Sequence, residues 1–129
     1  MLFRSVRDSK NGVAMNNLAF LLAQSGGSLD EALTLAQRAR QLMPDLTEVS
    51  DTLGWIYLKK NLSDNAIAAF DEIVRKQPER STYRYHLGMA LAQKGDRVTA
   101  AAQLKEALKL NPSAEEAAKI RELLARIEP

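Results

Sequence analysis

Residues 47–80 read TEVSDTLGWIYLKKNLSDNAIAAFDEIVRKQPER, and residues 81–114 read STYRYHLGMALAQKGDRVTAAAQLKEALKLNPSA. Laid over one another they agree in register: Leu53-Gly54 on Leu87-Gly88, Tyr57 on Leu91, Ala66 on Ala100, Phe70 on Leu104, Ile73 on Ala107 and Pro78 on Pro112. The offset is 34 residues at every one of these sites, and Pro44 precedes Pro78 by the same 34. A fixed period of this length marks one supersecondary unit copied in series, each copy burying its apolar face on the next. Upstream lies a looser copy, with Leu18-Ala19, Leu22, Ala32, Ala36, Ala39 and Pro44 in the corresponding places and one extra residue at Gly26-Gly27. An insertion within a turn costs little, and paired Gly marks a turn.

Each copy divides into two helices of about 14 residues, with apolar residues at i, i+3, i+4 and i+7. Gly54 with Ala66, and Gly88 with Ala100, are small enough to let paired helices approach closely. Gly26-Gly27, Asn61 and Gly95 suit the left-handed backbone that ends a helix. Ser28-Leu29-Asp30-Glu31, Asp45-Leu46-Thr47-Glu48 and Ser113-Ala114-Glu115-Glu116 each fit a capping box. Pro44, Pro78 and Pro112 stop the second helix of each copy.

This pattern resembles the tetratricopeptide repeat over residues 12–114, departing from it in the first copy, where Ala19 and Ala36 replace the Gly and the aromatic. The resemblance implies an all-α fold, a right-handed superhelical solenoid of antiparallel helix pairs. The expected units are residues 12–45, 46–80 and 81–112, followed by a capping helix over 113–129. In that helix Ala117, Ile120, Leu123, Leu124 and Ile127 would pack on the last unit, and Glu115 with Lys119 and Glu122 with Arg126 form i,i+4 pairs. Residues 1–11 read as the remnant of a preceding unit or a linker, with Leu2, Phe3 and Val6 as its last apolar positions and Ser9 where a Pro is expected.

Composition narrows the functional classes. The chain has 129 residues, 46% of them apolar and 26% charged, and a net charge of only +2. A pI near 9.0 raises the question of nucleic acid. Its cations answer it: Lys59, Lys60, Arg75, Lys76, Lys94 and Lys109 fall at predicted helix ends, where they suit the negative end of the macrodipole. No basic stripe with interleaved aromatics is left over, so no nucleic-acid partner is expected. With no Cys there are no disulfides or thiolate metal sites, and the compartment stays open. The N-terminus lacks the apolar run of a signal peptide, and the strongly apolar stretch Leu18–Ala23 is too short to span a bilayer.

Chemistry-bearing constellations are equally sparse. His86 is the one His, without a carboxylate at helical spacing to orient it. Asp71-Glu72 and Glu115-Glu116 are adjacent and point to different sides of a helix. There is no Gly-rich phosphate loop, so neither enzymatic activity nor a cofactor or metal is expected.

The resemblance implies that the first helix of each copy lines a concave face. The inward positions are Asn16, Asn17, Phe20 and Gln24 in the first copy, Asp51, Trp55 and Lys59 in the second, and Tyr85, His86, Met89 and Gln93 in the third. Glu48, Thr52, Leu58 and Thr82 belong to the same faces. Phe20, Trp55 and Met89 occupy equivalent places and are expected to form an apolar ladder, with amides bonding a partner's backbone. The alternative is that Phe20 and Trp55 fill space between helices, as large apolar residues commonly do. Some tetratricopeptide adaptors grip a chaperone's terminal carboxylate with Lys, Arg and Asn; the matching positions here hold Asn16, Phe20, Thr52, Thr82 and His86, which excludes that clamp.

The expected function is a protein-interaction scaffold that holds a peptide or partner segment in the groove, within a larger multi-repeat protein. Two other classes remain open: self-association through the apolar edge of Leu18, Leu21 and Leu22, and a regulatory arm of a larger enzyme. Asp51–Trp55 and His86–Ala90 further resemble the C-terminal repeats of long bacterial tetratricopeptide proteins, some of which serve envelope, exopolysaccharide or secretion assemblies. The cytoplasm is the default compartment, and the envelope or periplasm follows if a longer chain carries a signal.

Overall fold

The computed structural model describes the backbone of residues 2–128 and the side chains of residues 10–128. Seven helices account for nearly all of it: α1 (Leu2–Gln24), α2 (Leu29–Leu42), α3 (Thr47–Lys59), α4 (Ser63–Lys76), α5 (Ser81–Lys94), α6 (Arg97–Lys109) and α7 (Ala114–Ile127). They pair as α1 with α2, α3 with α4 and α5 with α6, and each pair stacks on the next. Odd-numbered neighbours approach one another closely, whereas α2, α4 and α6 have no close backbone contact among themselves. Close packing on one side and splaying on the other curve the array, so the odd helices line its concave face.

The punctuation in the sequence explains where the helices stop. Gly26, Asn61 and Gly95 all adopt positive φ, and so does Asn111, which the sequence reading did not single out. Pro44 and Pro78 lie two residues beyond α2 and α4, and Pro112 three beyond α6. Ser28 accepts from the Glu31 N–H and Ser113 from the Glu116 N–H, the N-cap half of each expected capping box. Asp45 does not cap α3: Leu46 occupies the N-cap and makes no side-chain bond, because the turn after Pro44 carries Asp45 one residue too early. Asp96 caps α6 instead, accepting from Thr99 N–H at 3.2 Å.

α1 runs as one helix through Asp8–Asn11, where the end of a preceding unit was expected. No Gly or Pro interrupts residues 2–11, so nothing in the local sequence opposes helix there. The expected packing of Leu2, Phe3 and Val6 lies outside the described side chains.

Inside each pair, the volume of one residue sets that of its partner. A Cβ added at Gly54 would lie 2.3 Å from Phe70 Cε1, and one at Gly88 2.7 Å from Leu104. The first unit carries Ala19 and Ala36 in the same two places, both fully buried. Its departure from the family pattern is therefore a matched exchange: a smaller residue on the second helix leaves room for a methyl on the first.

Between units, side chains provide the fastening. Tyr83, almost wholly buried, shares a 2.8 Å hydrogen bond with Thr47, which also accepts from Gln77. Asp30 pairs with Lys60, and Asp64 with Lys94 at 2.6 Å, one period later. These bonds hold the Asp30 carboxyl below its usual range and raise the Lys94 ammonium above its own. One period further on, the positions hold Val98, 84% exposed, and Glu128, which pairs with Lys105 instead. The ladder thus ends at the last complete unit.

Candidate partner-binding groove

Helical spacing puts Asp51, Trp55 and Lys59 on one side of α3, and Tyr85, His86, Met89 and Gln93 on the matching side of α5. Asp51 Oδ1 lies 2.7 Å from His86 Nδ1, with both side chains largely buried. The imidazole sits within an aromatic enclosure, its centroid 5.5 Å from Phe70, 5.7 Å from Tyr85 and 6.1 Å from Trp55. His86 therefore does have an orienting carboxylate, supplied by the neighbouring unit rather than by its own helix. The pair joins α3 to α5 beneath the groove.

Trp55 is only partly exposed and packs against the cores of two successive units. Its indole N–H is buried without an acceptor among the described residues. Lys59 Nζ lies 5.3 Å above the ring. Both readings of Trp55 therefore apply, since it fills space between units and also presents an edge to the groove. Gln93 donates to the Leu58 carbonyl at 3.0 Å and accepts from Ser63 at 2.7 Å, so its amide is engaged within the fold.

Two adjacent chambers mark the groove. One, of about 300 Å³, is bounded by Trp55, Tyr85, His86 and Met89 on one side and by Ser113, Glu115, Glu116 and Lys119 on the other. The second, of about 410 Å³, lies between Leu58, Tyr85, Met89, Ala92 and Gln93 and the α7 residues Lys119, Glu122, Leu123, Arg126 and Ile127. Tyr85, Met89 and Lys119 belong to both. Burial pushes the Tyr85 phenol up, so at neutral pH it remains a hydrogen-bond donor.

The four predicted residues of α1 are not brought to these chambers. Phe20 and Gln24 are exposed, and Asn16 is partly buried with its Oδ1 unpartnered. Asn17 joins Lys10, Val13 and Ala14 in a shallow depression on α1. No ring contact joins Phe20 to Trp55 among the described residues; Trp55 and Met89 alone of the expected ladder share a chamber.

Sequence reasoning missed α7, which it treated only as a cap. The signal was present: adding 34 once more to Tyr85, Met89 and Gln93 reaches Lys119, Leu123 and Ile127, all of which line the larger chamber. α7 thus takes the place of the first helix of a further unit. Glu116 fixes it there, accepting the Thr82 hydroxyl at 3.0 Å, while Ile120 is fully buried below. Of its two expected i,i+4 pairs, Glu115 with Lys119 forms at 3.4 Å and Glu122 with Arg126 does not.

Comparison with known proteins agrees with this architecture. Residues 52–115 match the tetratricopeptide-repeat family model. The chain has the tetratricopeptide-repeat fold. No curated protein matches the sequence. Its tetratricopeptide fold is similar to that of the Yersinia enterocolitica type III secretion translocator chaperone SycD in an alternative dimer, with TM-score 0.83 and 23% identity over 93% of each chain. The same chaperone in complex with a peptide of the translocator YopD gives TM-score 0.79 and 22% identity, covering 89% of this chain and 90% of that one. The first tetratricopeptide domain of Spaghetti (RPAP3), bound to the HSP90 peptide SRMEEVD, gives TM-score 0.79 and 14% identity over 94% and 96%. At these identities the likeness is one of fold.

Proposed function

We propose that the protein is an interaction module that holds an extended partner segment in the concave groove, and that it is a binder rather than an enzyme. The observation that carries this reading is the pair of adjacent, half-apolar chambers between α3, α5 and α7, both bordered by Tyr85 and Met89. Chambers of this size bordered by a few polar groups suit side-chain recognition. Peptide-bound relatives of the same fold support it. Short random peptides displayed on phage and selected on the purified chain test it. Met89→Glu places a charge in both chambers and is expected to weaken the selected peptides at least about tenfold, as truncation of a central anchor does. Equal binding to wild type and variant would refute the groove.

Self-association has an observation of its own. Val13, Leu18 and Leu21 are 42%, 48% and 59% exposed on the outer side of α1, whereas Leu22, expected with them, packs into the first unit's core. A second copy meeting this face would cover it by a two-fold contact, in which the same patch faces itself. Sedimentation should then show a dimer that Leu21→Glu converts to monomer; a monomeric wild type at high concentration removes this reading.

A further inference from the structure

We propose that the α5–α7 end of the groove is built for a bulky apolar side chain of the partner followed closely by an internal Asp or Glu. The proposal rests on the groove reading above and names the chemistry of its occupant. The larger chamber takes its apolar surface from Leu58, Met89, Leu123 and Ile127. A flexible aliphatic or Met side chain of the partner suits such a lining, because the unbranched Met89 repacks around varied shapes at little cost.

Its polar border is unbalanced. Lys119 and Arg126 face a single carboxylate, Glu122. Arg126 makes no ion pair or hydrogen bond among the described residues, although Glu122 lies one helical turn before it. Lys119 pairs only with Glu115, at 3.4 Å and with both side chains well exposed, so exchanging that partner for another carboxylate costs little. The Tyr85 hydroxyl likewise has no partner among the described residues. An ammonium, a phenol and a guanidinium thus border one largely apolar chamber, with Glu122 as its one carboxylate. A guanidinium meets a carboxylate through two parallel hydrogen bonds, which makes an acidic side chain the best complement.

The geometry also points to an internal residue rather than a chain end. Both chambers border on Tyr85, Met89 and Lys119, so a segment laid across these residues meets both. At three of the five positions where a terminal carboxylate would be clamped, the side chains are already engaged: Thr52 donates to the Glu48 carbonyl, Thr82 to Glu116, and His86 is bonded to Asp51.

The same displayed library tests this. Peptides enriched on wild type should place Leu, Ile, Met or Phe within a residue or two of Asp or Glu. On a Lys119→Glu/Arg126→Glu chain the acidic preference should become basic; both residues are exposed, and unchanged helicity and Tm confirm the fold. For one enriched peptide followed by fluorescence anisotropy, Arg126→Glu should weaken binding about fivefold, and Lys in place of the peptide's acidic residue should restore it. Apolar enrichment without an acidic preference, or an acidic preference unmoved by charge reversal, overturns the proposal and leaves the groove standing. Enrichment that Met89→Glu does not diminish overturns both.

Discussion

Phe70→Ala is expected to lower the unfolding free energy by about 3–5 kcal/mol, the largest effect of any single change considered for this chain. Phe70 is fully buried on α4, against the Gly54 backbone of α3 and within 5.5 Å of the His86 ring of α5. It therefore belongs to two units at once. Removing the ring leaves a cavity bounded by helix backbone on the Gly54 side, which relaxes poorly, so the transfer loss and the cavity cost add. Urea unfolding followed by far-ultraviolet circular dichroism measures the change, and the accompanying fall in Tm should be on the order of 10 °C. A loss below about 1 kcal/mol would mean that α3 and α5 close over the gap, contrary to the packing described.

Gly54→Ala should also destabilise, by about 1–3 kcal/mol, even though helix propensity alone favours the change by about 1 kcal/mol. The new methyl would meet Phe70 Cε1 at 2.3 Å, and Phe70, itself fully buried, has no open space into which to turn. The decisive measurement is the double-mutant cycle. In a Phe70→Ala background the added methyl enters the cavity, so Gly54→Ala should become neutral or stabilising there, reproducing the Ala19–Ala36 arrangement of the first unit. Additive costs across the cycle would show that the two residues do not determine one another.

That pairing shows how much could be read in advance. The 34-residue offset gave two helices to each copy, as the structure has them, and Gly26, Asn61 and Gly95 take the left-handed turns expected of them. The first helix, α1, begins well before its expected start, because nothing in residues 2–11 breaks it. Asp45 was read as a cap because its tetrapeptide fits the box, yet a cap depends on a single residue's register after Pro44. In the groove, Trp55, Tyr85, His86 and Met89 line one chamber, while none of the described side chains of α1 lines either. α7 was legible in principle, since Lys119, Leu123 and Ile127 continue the period, although its Lys and Glu residues drew attention as a solvated cap.

What the sequence by itself determined is the unit, its length, its turns and the matched volumes within each helix pair. These follow from contacts that every copy makes in the same way, so repetition in the chain is repetition in space. Only the tertiary structure decided what passes between copies: the Asp51–His86 bond, the Thr82–Glu116 bond that seats α7, the two adjacent chambers, and an Arg126 without a partner among the described residues. Such features depend on the angle at which successive units stack and on how far the odd helices converge. A change of a few degrees moves side-chain tips by ångströms while leaving the period untouched.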